Sequence, residues 1–313
     1  MTPALQSTTV LIVGHGSREE SGNQEIREFI AQWQARQPAW RIEVCFIEFA
    51  PPSLHDGLLA AAQDARRVIV LPLILNAAGH VKMEIPEAIE HARAHRPQVE
   101  FLYGPHLTAC DPILDILRRQ LRQAMARLDM PDPTTTGVVL LGRGSSDRGA
   151  NGDMAKMARW LQESGDHELV DLAFTGITYP RLERVVQRQA LLGMTQVVVL
   201  PYYLYTGTLM QRIGRQVEHL RQQYPQLRFA LGTHFGFEPE VFALLEQRVS
   251  DLLAGRPEAT LGCDGCRFRE IAHDLGHGHS HEHTHGAAHG HAHEKAHGHD
   301  HAPAPIAIPV VAA

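Results

Sequence analysis

The sequence is short of cysteine, of net basic charge and of long apolar runs, and each shortage removes a class of protein. Four cysteines in 313 residues are too few for a disulfide scaffold. Two of them stand as Cys-x-x-Cys, so a reducing compartment is expected. A net charge of −6 with histidine neutral argues against a nucleic-acid-binding surface. No run reaches the roughly 18 apolar residues of a membrane span, and the first residues lack the pattern of an export signal. A phosphate loop of the Gly-x4-Gly-Lys-Ser/Thr type is missing too, so nothing calls for ATP. The expectation is a soluble cytoplasmic protein that binds neither membrane nor nucleic acid. Histidine is what the sequence has in excess: 21 in all, 11 of them between His277 and His301.

Apolar runs alternate with helical spacing along most of the chain. Strand-like runs fall near residues 10–13, 41–47, 67–73 and 100–103, and helical stretches near 23–36, 54–65, 84–95 and 111–128. Strands separated by helices of this length imply βαβ units and a parallel sheet. Met130-Pro-Asp-Pro-Thr-Thr-Thr136 then interrupts the pattern with turn chemistry.

After this linker the pattern restarts at an offset near 128 residues. Gly14-His15-Gly16-Ser17 returns as Gly142-Arg143-Gly144-Ser145, and Asn23 as Asn151. Pro52-Ser-Leu54 returns as Pro180-Arg-Leu182, Leu71-Pro72 as Leu200-Pro201, Gly79 as Gly207 and His106 as His234. The fold class expected is therefore α/β, with two duplicated domains, each a parallel sheet flanked by helices, and a cleft between them as the ligand site. The boundaries are 1–129 for the first domain, 130–136 for the linker, 137–256 for a degenerate second copy and 257–313 for the remainder.

Comparing the copies separates backbone from chemistry. The glycines and strand-end prolines recur, so they serve the fold. His15 becomes Arg143, Glu48 aligns with Gly176 and His80 with Thr208. These three positions follow the first strand, end the second and lie in the loop after the third, so all belong to the carboxyl edge of one sheet, where open α/β folds bind ligands. Two imidazoles and a carboxylate make a divalent-metal site with open positions, and the same histidines can take protons near neutral pH. Arg143 stands where a guanidinium would face an anionic substrate across the cleft. His106 and His234, kept in both copies, read as structural, and Cys45 and Cys110 as buried thiols.

The remainder has too little apolar content for a core and is expected to be disordered without a ligand. His277, His279, His281, His283, His285, His289, His291, His293, His297, His299 and His301 form a string of imidazoles suited to metal buffering near the cleft. Such a string does not select cobalt over nickel, copper or zinc. A metal-storage protein acting through this tail is the competing function. Cys263 and Cys266 supply half of a four-ligand site, open to zinc completed by tail histidines or to redox pairing.

Gly-His-Gly-Ser with its following Asn, Phe46-Ile-Glu-Phe-Ala-Pro-Pro-Ser-Leu54 and Leu71-Pro-Leu-Ile-Leu-Asn-Ala-Ala-Gly-His80 together resemble the class II chelatases of tetrapyrrole synthesis. The duplicated chain with a histidine-rich tail is similar to the long sirohydrochlorin cobaltochelatases. The resemblance implies two chelatase-like domains and ATP-independent insertion of Co2+, as substrate, into the anionic tetrapyrrole sirohydrochlorin, in cobalamin synthesis. It implies His15 and His80 as metal ligands and pyrrole proton acceptors, with Glu48 assisting. Arg18, Lys82, Arg143 and Arg148 are then candidates for the substrate carboxylates. Iron or nickel insertion by the same site stays open, as does a homodimer. An iron–sulfur cluster at Cys263 and Cys266 is also implied, with further ligands from a second subunit.

Overall fold

The computed structural model describes residues 7–256. Strand β1 (Thr8–Gly14) is β-branched and aliphatic, and all seven residues are buried, as befits a central parallel strand covered on both faces. It pairs in parallel with β2 (Arg41–Phe46) on one side and β3 (Arg67–Pro72) on the other, and β4 (Glu100–Tyr103) joins β3. The second sheet repeats this with β5 (Thr136–Gly142), β6 (Val170–Phe174), β7 (Gln196–Pro201) and β8 (Arg228–Leu231). The orders are β2-β1-β3-β4 and β6-β5-β7-β8. The duplicated parallel α/β fold expected from the sequence is the observed one.

Helices α1 (Glu20–Arg36), α2 (Leu54–Ala61), α3 (Ile85–His95) and α4 (Asp111–Met125) follow the strands of the first half. Helices α5 (Arg148–Glu163), α6 (Leu182–Leu191), α7 (Thr208–Gln223) and α8 (Pro239–Leu253) follow those of the second. Two differ notably from their spacing. Helix α2 stops before residue 65 because Asp64 turns into the left-handed region at φ 61°. The stretch expected to open at Glu84 begins earlier, as a π-helical turn over His80–Glu84 that runs into α3.

The outer face of the first sheet is covered by α2 and α3, whose Leu58, Ile85 and Ile89 pack on Leu11, Val13, Val68 and Val70. Helices α6 and α7 do the same for the second sheet through Val185, Val186, Ile213 and Val217. Between the sheets lies one continuous core holding α1, α4, α5 and α8.

In that shared core the last helix of each half crosses over. Helix α4 packs on β7 and β8 of the second sheet, and α8 packs on β3 of the first. Phe242 of α8 stacks on Phe29 of α1 with ring centroids 4.1 Å apart. Burying an aromatic ring of this kind contributes about 2–3 kcal/mol. The Trp33 indole donates to Glu246 of α8 at 3.1 Å. Arg248 of α8, buried and without a carboxylate partner among the described residues, donates to the carbonyls of Pro105 at 2.5 Å and Leu107 at 3.0 Å, and also to that of His106. Burial lowers its pKa to about 10. Gln120, the equivalent residue of α4, donates to the His234 carbonyl at 3.2 Å in the other half. The spatial units therefore do not follow the linker: each sheet is finished by a helix from the other half.

Candidate metal centre

The order β2-β1-β3 makes the gap between β1 and β3 the point where the chain changes direction across the sheet. Crevices at the carboxyl ends of such strands hold ligands. His15 follows β1 directly, Glu48 lies two residues past β2, and His80 opens the π-helical turn after β3. His80 was expected in a loop; the turn instead gives it a fixed helical backbone. π-Helical turns recur at functional sites.

Gly16 explains how the first two residues meet. Its φ is +85°, and a Cβ there would stand 1.8 Å from the Glu48 carbonyl oxygen, so no other residue fits. The Glu48 backbone approaches until its N–H donates to the His15 carbonyl at 3.0 Å. Gly144 repeats this in the second half at φ +83°, with Gly176 N–H donating to the Arg143 carbonyl at 3.0 Å. The scaffold is shared, while the side chains that could ligate a metal stand in the first copy.

His15 and His80 meet edge to face, with ring centroids 4.8 Å apart. His80 Nε2 lies 3.3 Å from Glu48 Oε1. One ligand atom from each of His15, Glu48 and His80 can be chosen so that all lie within 4.8 Å of one another. His15 Nδ1 stands 3.0 Å from the Gly16 carbonyl, which can only accept, so Nδ1 carries the proton and Nε2 is left as a ligand. Burial holds the His15 pKa below its usual value, and the neighbouring His80 acts in the same direction, against the Gly16 hydrogen bond. A neutral imidazole near pH 7 is the form that binds metal.

His15 and His80 line a cleft of about 750 Å³ between the two halves, and Glu48 stands just behind its lining, beside His80. Its first wall carries His15, Arg18, Phe49 and His80, and its second carries Arg143, Ile177, Tyr203 and Thr206. Of the four cations expected to meet substrate, Arg18 and Arg143 line this cleft. Lys82 and Arg148 do not. Lys82 is engaged across the seam with Asp147, which also caps α5 by accepting from Gly149 N–H at 2.7 Å. Arg148 begins α5 on an exposed position.

Three features of the cleft escaped the sequence. Glu84 stands 2.9 Å from His80 Nδ1, off the line of a straight hydrogen bond. The i, i+4 spacing of the two was the available signal. Phe49 and Ile177, one on each wall, are 54% and 58% exposed and hold left-handed backbones at φ 63° and 60°. Bulky residues rarely adopt that conformation. They occupy equivalent places in the repeat, one residue after Glu48 and Gly176.

Elsewhere the expectation of a buried thiol holds for Cys45, while Cys110 is only partly covered. The Cys45 thiol is buried and pushed up to about 12, and burial also raises that of the half-buried Cys110. His106 is buried, and His234 is hydrogen-bonded within the seam. Cys263, Cys266 and the histidines from His277 to His301 lie outside the described residues. Among the described residues no helix is long and apolar enough to cross a membrane.

The CbiX family matches residues 9–124 and again 137–252. Sirohydrochlorin cobaltochelatase of Priestia megaterium is 38% identical over 266 residues, 83% of this chain and 84% of that protein. Sirohydrochlorin ferrochelatase of the same organism is 33% identical over 248 residues, 79% of this chain and 91% of that protein. Among solved structures, the sirohydrochlorin chelatase SirB from Bacillus subtilis subspecies spizizenii, in complex with cobalt, is similar with a TM-score of 0.66 at 28% identity, covering 80% of this chain and 97% of that one. With the family's pattern present twice and, among the described residues, one cluster of side chains that could hold a metal, in the first copy, the chain belongs to the CbiX family.

Proposed function

We propose that this protein inserts Co2+ into sirohydrochlorin without ATP, with His15, Glu48 and His80 holding the incoming metal. One observation carries the reading: two imidazoles that line one cleft, with a carboxylate gathered beside them within ligand distance. The relative named as a cobaltochelatase, 38% identical, supports cobalt as the metal. Three protein ligands leave coordination positions free for pyrrole nitrogens.

The macrocycle releases two pyrrole protons as the metal enters, and the imidazoles that surrender the metal are free to accept them. His15, kept neutral by burial, is ready for either task. Glu48 balances positive charge while metal and protons change places. Arg18 and Arg143, on opposite walls, are suited to the carboxylates at the macrocycle rim. Phe49 and Ile177 offer apolar surface to its faces. Lys82 serves better as a tie to Asp147 than as a substrate ligand. A cytoplasmic location belongs to the same reading.

The test is metal insertion by the purified full chain, followed by the absorption of sirohydrochlorin, with Co2+, Fe2+ and Ni2+ in parallel. Co2+ should give the greatest acceleration over the rate without protein. His15→Ala and His80→Ala should each lower kcat about 100-fold or more, with unchanged melting temperatures. No acceleration by any metal would refute an enzyme. A greater acceleration by Fe2+ would reassign the metal.

A further inference from the structure

One side of the cleft is closed by a chain of three side chains, none of them part of the metal centre. Glu25 of α1 accepts from the backbone N–H of Thr206 at 2.6 Å and from its hydroxyl at 2.5 Å. A carboxylate can only accept, so it takes the single hydroxyl proton. The oxygen is then left as an acceptor, with His234 Nε2 3.1 Å away. His234 Nδ1 lies 3.2 Å from the Leu204 carbonyl, so a neutral imidazole donates to either Thr206 or Leu204 and holds the ring between the two. Gly22 completes the approach: a Cβ there would stand 2.9 Å from the Thr206 carbonyl oxygen. The Thr208 hydroxyl reaches Glu19 at 3.4 Å.

Thr206, Gly207 and Thr208 line the second wall, yet these contacts fasten them to the start of α1 in the first half. Helix α1 also secures the His15 loop, because Asn23 accepts from Ser17 N–H and donates to the Ser17 carbonyl, each at 2.8 Å. The path Ser17–Asn23–Glu25–Thr206 thus joins the loop bearing His15 to the wall facing it. The repeat lacks the same device on the other side. Ala77 and Ala78 fall where Thr206 would be matched, Asp153 matches Glu25, and His106, the equivalent of His234, has no hydrogen-bond partner for either ring nitrogen among the described residues.

We propose that Glu25, acting through Thr206, is a positioning residue that sets the gap between the His15 wall and the facing wall, and so the fit of the flat macrocycle. The proposal rests on the macrocycle being the substrate of this cleft. All three metal ligands sit on one wall, so a change in the gap acts on the macrocycle and leaves the metal alone.

The experiment compares full-length Thr206→Val, Thr206→Ser and Glu25→Gln with the parent. Thr206→Val and Glu25→Gln should raise KM for sirohydrochlorin about tenfold, with the half-saturating Co2+ concentration unchanged. Thr206→Ser, which keeps the hydroxyl, should behave as the parent. An unchanged KM in Thr206→Val, an equal rise in the Co2+ requirement, or a Thr206→Ser variant as impaired as Thr206→Val would overturn the proposal. Should Thr206→Val not fold, Glu25→Gln carries the same comparison. Fluorescence titration with metal-free sirohydrochlorin separates the two ideas. A parent protein that binds the macrocycle but inserts no metal removes the activity, while weaker binding by the variants still supports the positioning role and equal binding overturns it.

Discussion

Glu84 approaches His80 from behind, with its carboxylate 2.9 Å from Nδ1, while Glu48 faces Nε2 at 3.3 Å. A small rotation would bring this carboxylate into line with Nδ1, where it would hold the ring proton and leave Nε2, on the Glu48 side, for the metal. Glu84→Gln keeps the shape and loses the charge. The half-saturating Co2+ concentration should rise about tenfold or more, with KM for the macrocycle unchanged. Metal-dependence curves at fixed sirohydrochlorin check this, and an unchanged curve would assign Glu84 to the surface.

Phe49 combines strain with exposure, so its two effects have opposite signs. Phe49→Gly relieves a left-handed backbone, a gain of about 1 kcal/mol, and removes apolar surface from the cleft. Thermal stability should hold or increase while KM for the macrocycle rises. If thermal stability falls and KM stays unchanged, Phe49 is a packing residue and its exposure is incidental.

His106 makes the fold sensitive to acid. Burial, helped by the charges of Arg248 and Lys82, holds its pKa down to about 4, against about 6.5 for an unfolded histidine. Between those values the unfolded chain binds a proton that the folded chain refuses. Stability is therefore lost as pH falls from about 6.5 towards 4 and is unaffected above that window. The full effect is on the order of 3 kcal/mol. His106→Leu should lose less stability than the parent between pH 7.5 and pH 5 in urea melts. At pH 7.5 it should be at least as stable, since an apolar group replaces an unpartnered polar one. Parallel losses in both proteins would place the acid sensitivity in other groups.

Arg248 ties α8 to the loop after β4 through three carbonyls. Arg248→Ala leaves these acceptors buried and unpaired, a loss of about 3 kcal/mol. Arg248→Gln should recover part of it, because Gln120 does the equivalent work with an amide. Denaturant unfolding measures both, and equal losses for Ala and Gln would show that packing, not hydrogen bonding, matters there.

The alternation of strands and helices, the duplication and the ligand trio were legible because each leaves a local signature. Strand runs are apolar, Gly-x-Gly marks a tight turn, and the repeat sets His15, Glu48 and His80 beside their replaced counterparts. The helix exchange was not legible. The apolar faces of α4 and α8 state that each helix is buried, and they do not state under which sheet. Lys82 carried the same ambiguity: a cation near a cleft reads as a substrate ligand until Asp147 is seen across the seam. Phe49 and Ile177 were missed because nothing in their chemistry announces a positive φ.

The helix exchange also bears on why a second half without ligands persists. Its loops carry Arg143, Gly176 and Thr208 in place of the histidines and the glutamate, but its final helix closes the core beneath the half that bears them. Separating the halves at the linker would strip a layer from both sheets and leave neither able to hold the cleft. A copy relieved of chemistry is here still indispensable as masonry, and mutations deep in it, such as those facing Phe29 and Trp33, should be felt at the metal.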